Sequence, residues 1–566
     1  MELPKDSDQL VNFARELIEE CLHSRDHRRA LSRDFQTLFY MGSTSGTASK
    51  YNKCYTHVDK LSSYIFSAAD VRFALEFEGC ALPQWQEKTK AAARHVNKQF
   101  NKGDLGGAFA MANQISLVEG ASIAKLTWKN GGLRGWPIRP VFFGVQREDL
   151  NGLDDQECFV HSYFVTEAAF KRLIINHPDR AELMAKVSMI NGPAADMEIA
   201  GGSYFREILA GGISPIGYEG SPALPYRGSV QITAPPLPNL PPEVTARLIQ
   251  IDDLWIWNDN AKWSDQHGEH TGDWTTIRYV QPGLIIEGKY QRRNLSDIPG
   301  QHPFVKVCSN EVPGYFWGRS EMAQLAQPQA QLTDRTQDID SIWRLRAKPP
   351  RAFLGVQGIS DEKALALLAP GGHFADAAIG SKIENLAPEM PPEALPLLSV
   401  WSDIFDEVGG FTKILSGEGE SGVRAGVHAG TLLRTSTPRL RERALTVEKQ
   451  CSTFATKALK MAAAKDAAVI APRGDAKQAF LLSTLPCDAT VSVDSHTSSP
   501  AFVDDNRQLA VMLAKAEAID GESLIEMTHP QNEDFLVEKY RQRQEAAAKA
   551  AAANPVAAAE AAKAKK

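Results

Sequence analysis

The sequence predicts an α+β fold, and three observations predict it. Apolar residues recur at helical spacing over 7–40 and 84–118. They alternate with polar residues in short blocks between 121 and 292, and they return to helical spacing beyond 317. On the first helix, Leu10, Phe13, Leu17, Ile18, Cys21 and Leu22 share one face, with Ser7 and Asp8 as candidate caps. A second helix is expected over Tyr51–Ala69, running into a strand at VRFALEFEG. In GASIAKLTWKN, Ala124, Leu126 and Trp128 alternate with Ile123, Lys125 and Thr127, the mark of a half-buried strand. Further strands are expected at RPVFFGVQ, ECFVHSYFV, IDDLWIWND, TTIRYVQ and GLIIEGKY. The Pro- and Gly-rich stretch 211–242 reads as a surface excursion between strands.

The segment 317–342, WGRSEMAQLAQPQAQLTDRTQDIDSI, is helical in pattern but too polar for an ordinary core helix. Leu325, Leu332 and Ile339 are seven residues apart and, with Ile342, make one thin apolar stripe. Pro328 is expected at the first turn of the continuous helix, leaving WGRSEMAQLAQ as a separate lead-in. Lys348-Pro349-Pro350 stops that helix, because a residue before proline avoids the α region. A small mixed unit covers 351–390. Pro391-Pro392 then opens a helix that Gly409-Gly410 ends. A Gly/Ser loop follows, then a long helix over 423–465, the strand-like LLSTLPCDATVSVD and more helices. The Ala-rich tail 546–566 is a marginal helix or disordered.

The 566 residues carry a formal net charge of −7. Tight nucleic-acid binding usually goes with a basic excess, so any DNA contact is expected to be local or weak. Seven scattered cysteines without a C-x-x-C pair predict reduced thiols, no disulfide frame and no zinc site. MELPKDSDQLVNF has no signal-peptide pattern, and no run of about 18 apolar residues suggests a membrane span.

Motifs for chemistry are sparse. Gly417-Glu418-Gly419-Glu420-Ser421-Gly422 is a literal G-x-G-x-x-G and carries the alternative reading, a nucleotide-dependent enzyme. Two glutamates stand where a pyrophosphate would approach, and no β-α-β repeat surrounds them. In SDQHGEHTGD, Asp265, His267, His270 and Asp273 are suitable metal ligands by type, but the segment reads as a solvent turn. P-loop, H-E-x-x-H and G-x-S-x-G motifs are absent. The expectation is a protein that is not an enzyme, with no catalytic residues, no cofactor and no metal site.

The order of the pieces carries a resemblance. HPFVKVCSNEVPGYFWGRSEMAQLAQPQAQLTDRTQDIDSI resembles the approach to the first stem helix in portal proteins of tailed double-stranded DNA bacteriophages. IAKLTW, RPVFFGVQREDL and FVHSYFVTEAAFKRLI resemble strands of the portal wing. SGVRAGVHAGTLLR resembles the start of the long helix behind the tunnel loop, and SSPAFVDDNRQLAVMLAKAEAIDGESLIEM resembles the crown. The likeness spans roughly residues 50–540.

The resemblance implies a ring, most often a dodecamer, at one capsid vertex of a virion assembled in the host cytoplasm. Double-stranded DNA passes through it non-specifically during packaging and ejection. Terminase, major capsid or scaffolding protein and head–tail adaptors are the implied partners; a membrane is not. The implied parts are wing 1–317, first stem helix 318–346, clip 347–390, second stem helix 391–407, tunnel loop 408–422, long helix 423–465 and crown 466–545. Leu325, Leu332, Ile339 and Ile342 would form a seam between subunits, while Gln, Thr and Asp of the same helix would face water or passing DNA. Asp334, Arg335, Asp338, Arg344, Arg346, Lys413, Glu418 and Glu420 would face the DNA channel. Lys348, Arg351, Asp361 and Glu362 would dock partners at the clip.

The charge pattern suits a conduit. Duplex DNA carries about one negative charge per 1.7 Å, so an Arg-lined wall would hold it fast, whereas translocation needs a mostly acidic one. Asp334, Asp338, Asp340, Asp403, Asp406 and Glu407 fit that expectation. Arg335, Arg344, Arg346, Lys348 and Arg351 gather toward the helix C-terminus, where they suit its dipole and serve either phosphate or neighbouring carboxylates. Arg439, Arg441 and Arg443 are expected to pair with neighbours rather than DNA.

Overall fold

The computed structural model describes residues 7–42, 51–78, 83–191, 247–285, 298–347, 351–354, 382–385, 389–410, 438–470, 479–493, 509–528 and 535–546, apart from isolated positions. The expected excursion 211–242, tunnel-loop residues 411–422, the start of the long helix at 423–437 and the Ala-rich tail 547–566 lie outside them. The described chain is α+β.

Helix α1 (Ser7–Met41) is followed by α2 (Lys53–Ile65), β1 (Phe73–Glu76), α3 (Pro83–Lys102) and α4 (Leu105–Glu119). Strands β2 (Ser122–Lys129), β3 (Gly132–Ile138), β4 (Phe143–Val145) and β5 (Cys158–Thr166) come next, then short helices α5 (Glu167–Leu173) and α6 (Arg180–Lys186). Strands β6 (Ile190–Asn191), β7 (Arg247–Asp265), β8 (Gly268–Val280), β9 (Leu284–Ile285) and β10 (Phe304–Val307) complete the sheet region.

A six-stranded antiparallel sheet runs β4-β5-β7-β8-β9, with β6 added to β7. The period-two pattern of its strands explains its two covered faces. Cys158, Val160, Leu254, Ile256, Ile277 and Tyr279 point to one side and meet Leu10, Leu17, Ile18 and Cys21 of α1. Phe159, Trp255 and Trp274 point to the other, against Phe143, Phe304 and Trp317. The apolar face foreseen for the first helix is therefore its contact with the sheet.

SDQHGEHTGD is not a loose solvent turn. Strand β7 reaches Asp265 and β8 begins at Gly268, so most of the motif lies in a paired hairpin. His270 stands opposite Trp263 and stacks on it at 4.4 Å between centroids. Asp273 accepts the Gly300 amide at 2.9 Å. His267 lies outside the described residues, and no group of three potential metal ligands occurs among those described.

A larger core gathers α2, α3 and α4 with α7 (Glu321–Ala347), α8 (Ala394–Gly409) and α9 (Pro438–Ala464). Phe109, Leu325, Leu332, Phe405 and Phe454 are fully buried there. The hairpin β11 (Arg351–Leu354) and β12 (Lys382–Asn385) joins α7 to α8. Strands β13 (Ala468–Ile470) and β14 (Ala479–Leu481) pair with each other, and β15 (Thr490–Val493) pairs with β1. None of the described helices is long and apolar enough to cross a membrane.

The WG pair before α7 is a packing joint. Trp317 is fully buried, and its indole N–H donates to Ser24 Oγ at 3.1 Å and Glu148 Oε1 at 2.9 Å. Gly318 has φ +63°, and a Cβ there would lie 2.4 Å from Cys308 Sγ and 2.7 Å from the Asn310 carbonyl. Only glycine meets both demands.

Candidate assembly and DNA-facing surface

Helix α7 starts at Glu321, not at Pro328. Ser320 Oγ accepts the Met322 amide at 3.0 Å, the geometry of an N-cap. Pro328 lies inside the helix, so the expected separate lead-in is corrected: WGRSEMAQLAQ already contains the cap and two helical turns. A buried proline can be tolerated here because the surrounding core fixes both flanks, at the cost of one backbone hydrogen bond.

The polarity of this helix also has a cause inside the chain. Gln329 is fully buried; it accepts the Lys53 amide at 3.0 Å and donates to the Tyr51 carbonyl at 2.9 Å. Thr333 donates to the Gly42 carbonyl at 3.0 Å. These two residues therefore satisfy backbone groups left open where α1 ends and α2 begins. The expectation that Gln and Thr here face water or DNA is corrected for both.

The base of α7 holds a buried ionic knot. Glu321 is ion-paired with Arg443 at 2.7 Å and accepts from Asn310, with His57 Nε2 at 3.9 Å. Burial by itself would raise the Glu321 carboxyl, but the His57 contact and the Arg443 charge hold it below the ordinary range. Arg443 thus pairs within the chain, and Arg439 donates to Gln324 at 3.3 Å. On α8, Asp406 is bound by Lys53 at 2.7 Å, so it belongs to the α2–α8 contact rather than to an open acidic wall.

The stripe divides along its length. Leu325 and Leu332 are fully buried in the chain's own core, which corrects their expected place in a seam between subunits. Ile339 and Ile342, farther along, are only partly covered. Beyond them both helices expose large apolar side chains: Trp343 (60%), Leu345, Leu395 (63%), Leu397 and Val400 (51%). The two helices are antiparallel, because the hairpin joins Ala347 to Ala394 while Lys53 touches both Gln329 and Asp406. All five exposed apolar residues therefore sit at the far end of a helix pair anchored at its base.

The predicted DNA-facing residues on α7 are exposed or half-buried. Arg335 pairs with Asp338 at 3.4 Å and Arg344 with Asp340 at 2.9 Å, both within one turn. Such exposed pairs contribute little and exchange readily with other partners. Asp334 and Arg346 are exposed. The side chains of Lys348, Arg351, Asp361, Glu362, Lys413, Glu418 and Glu420 lie outside the described residues.

Two buried polar clusters escaped the sequence reading. Glu119 accepts from Arg139, Ser32 and Gln36, each at 2.5 Å, which pins α1 to α4. The signal was a charged residue closing an otherwise apolar helix, and one sequence does not separate it from a solvated end. The second joins His302 and Lys457 to Asp154 at 2.8 and 3.0 Å. Burial, then the Lys457 charge, push the fully buried His302 down to about 4.

His302 gives a pH prediction. Its folded value of about 4 lies below the ordinary 6.5, so the unfolded chain takes up a proton first as pH falls. Its contribution is complete above about 6.5 and disappears as pH drops toward 4, a loss on the order of 3 kcal/mol. Urea titrations at pH 7 and pH 4.5 are expected to show this decline, and His302→Gln is expected to make it shallower. An unchanged slope in that variant refutes the assignment.

Comparison with known proteins returns no matching family model and no similar curated protein.

Proposed function

We propose that this chain is the subunit of a portal-type ring that conducts double-stranded DNA at a capsid vertex and performs no catalysis. The observation that carries this reading is the helix pair α7/α8. Its base is locked into the chain's core by the Glu321–Arg443 and Lys53–Asp406 pairs, while its far end exposes Trp343, Leu345, Leu395, Leu397 and Val400.

An exposed apolar surface of this kind marks an interaction site, and an anchored helix pair presents it rigidly. Side-by-side contact between successive copies is heterologous and closes into a ring when the rotation divides evenly. The short helix–hairpin–helix order around 321–409 supports the same reading, as do the acidic α7 residues Asp334 and Asp338 beside cations already engaged by carboxylates. A wall of this composition slides past phosphate more readily than a basic one. Terminase and a head–tail adaptor would then meet the hairpin end, and capsid or scaffolding protein the outer body.

Electron microscopy of the purified chain, together with mass measurement, tests the proposal. Closed rings with a central channel are the expected result. A chain that stays monomeric at all concentrations refutes it.

A further inference from the structure

A cleft of about 510 Å³ opens beside α9, and the proposed ring uses none of its residues. Lys449, Thr453, Thr456 and Lys460 line it from the helix, and their spacing of four, three and four places them on one face. Lys457 is buried at its edge, where it donates to Asp154 Oδ1 at 3.0 Å and to the Phe304 carbonyl at 3.0 Å. The Lys457 charge is thus matched by Asp154. Lys449 and Lys460 have no carboxylate partner among the described residues.

The two threonine hydroxyls on this helix face do not supply spare donors. Thr453 donates to the Lys449 carbonyl at 3.0 Å, and Thr456 donates to the Val491 carbonyl at 3.4 Å while accepting the Val491 amide at 2.9 Å. The charged donors that the cleft offers a ligand are therefore the two ammonium groups, each a compact cation with three donors, with the Ser452 hydroxyl between them. Their backbones are eleven residues apart, about 16 Å along the helix. Long side chains can converge from that separation on a ligand carrying several negative charges in a row. Lys460 also acts on Lys457 as a like charge, adding to the burial that lowers Lys457. An anion in the cleft relieves that repulsion.

We infer that this cleft is a binding site for a short run of phosphate groups, taken either from a free oligophosphate or from a nucleic-acid strand. The geometry favours phosphate over a single carboxylate because two separated cations line one cleft, whose own carboxylate, Asp154, is already bound by Lys457. The site is independent of the ring and is tested on the full-length chain in whatever assembly it adopts.

Inorganic tripolyphosphate is the probe, with binding followed by calorimetry and by the rise in thermal midpoint that ligation produces. Lys449→Ala/Lys460→Ala is expected to weaken binding at least about tenfold while leaving the unliganded midpoint unchanged. Lys449→Arg/Lys460→Arg is expected to retain it, which a merely structural role of the lysines would not require. A short single-stranded oligonucleotide separates the two sources. Displacement of the oligonucleotide by tripolyphosphate assigns the site to strand phosphates; tripolyphosphate binding without oligonucleotide binding assigns it to free oligophosphate. Absence of tripolyphosphate binding, or equal binding by the alanine variant, overturns the inference.

Discussion

Replacing Glu321 by alanine is expected to lower the stability of the folded chain by about 3–5 kcal/mol. The carboxylate is fully buried at the first turn of α7, and its removal strands Arg443, itself only 4% exposed. An uncompensated buried guanidinium is costly, and the His57 ring and the Asn310 amide lose a partner at the same time. The position also has a local role, since an acidic residue at a helix N-terminus complements the dipole. A shift of the urea midpoint toward lower concentration measures the effect. Glu321→Ala combined with Arg443→Met is expected to recover part of the loss, because the stranded charge is gone. If Glu321→Ala unfolds at the native midpoint, the buried knot does not stabilise the joint between α7 and α9.

The second large effect concerns assembly rather than folding. Leu395→Asp with Val400→Asp is expected to abolish the proposed ring while leaving the unfolding midpoint of the isolated subunit nearly unchanged. Both side chains are more than half exposed in the single chain, so the substitutions disturb little inside it. In a ring they would be covered, and each buried apolar side chain of this size contributes about 1.5–3 kcal/mol. Repeated at every contact, that loss is enough to dissociate a closed assembly. Leu332→Asp provides the contrast, since Leu332 is fully buried and its replacement is expected to unfold the subunit itself. Particle mass at matched concentration is the measurement. Rings that persist in the Leu395→Asp/Val400→Asp chain remove this surface from the contact between copies.

Much of the fold was legible. The period-two blocks became β2, β5, β7 and β8, and the helical blocks became α1 to α4, because both patterns report which side of an element meets other atoms. Ala347 ends α7 directly before Lys348-Pro349-Pro350, and Gly410 ends α8 with φ +74°. These stops are local chemistry, and local chemistry is written in neighbouring residues.

The candidate surface was only half legible. Spacing identified Leu325, Leu332, Ile339 and Ile342 as one stripe, but it could not say that the first two meet the chain's own core. Pro328 followed the usual preference for a first helical turn, yet Ser320 capped the helix earlier and tertiary packing carried it through the proline. Gln329 and Thr333 looked solvent-facing because a polar side chain reads the same whether water or a distant backbone satisfies it.

The sequence by itself determined where helices and strands run, which faces are apolar and where Pro and Gly interrupt them. Only the tertiary structure decided what covers each face. Periodicity is a property of nearest turns and alternate residues, whereas the partners of Leu332, Gln329 and Glu321 come from segments hundreds of residues away or across the fold.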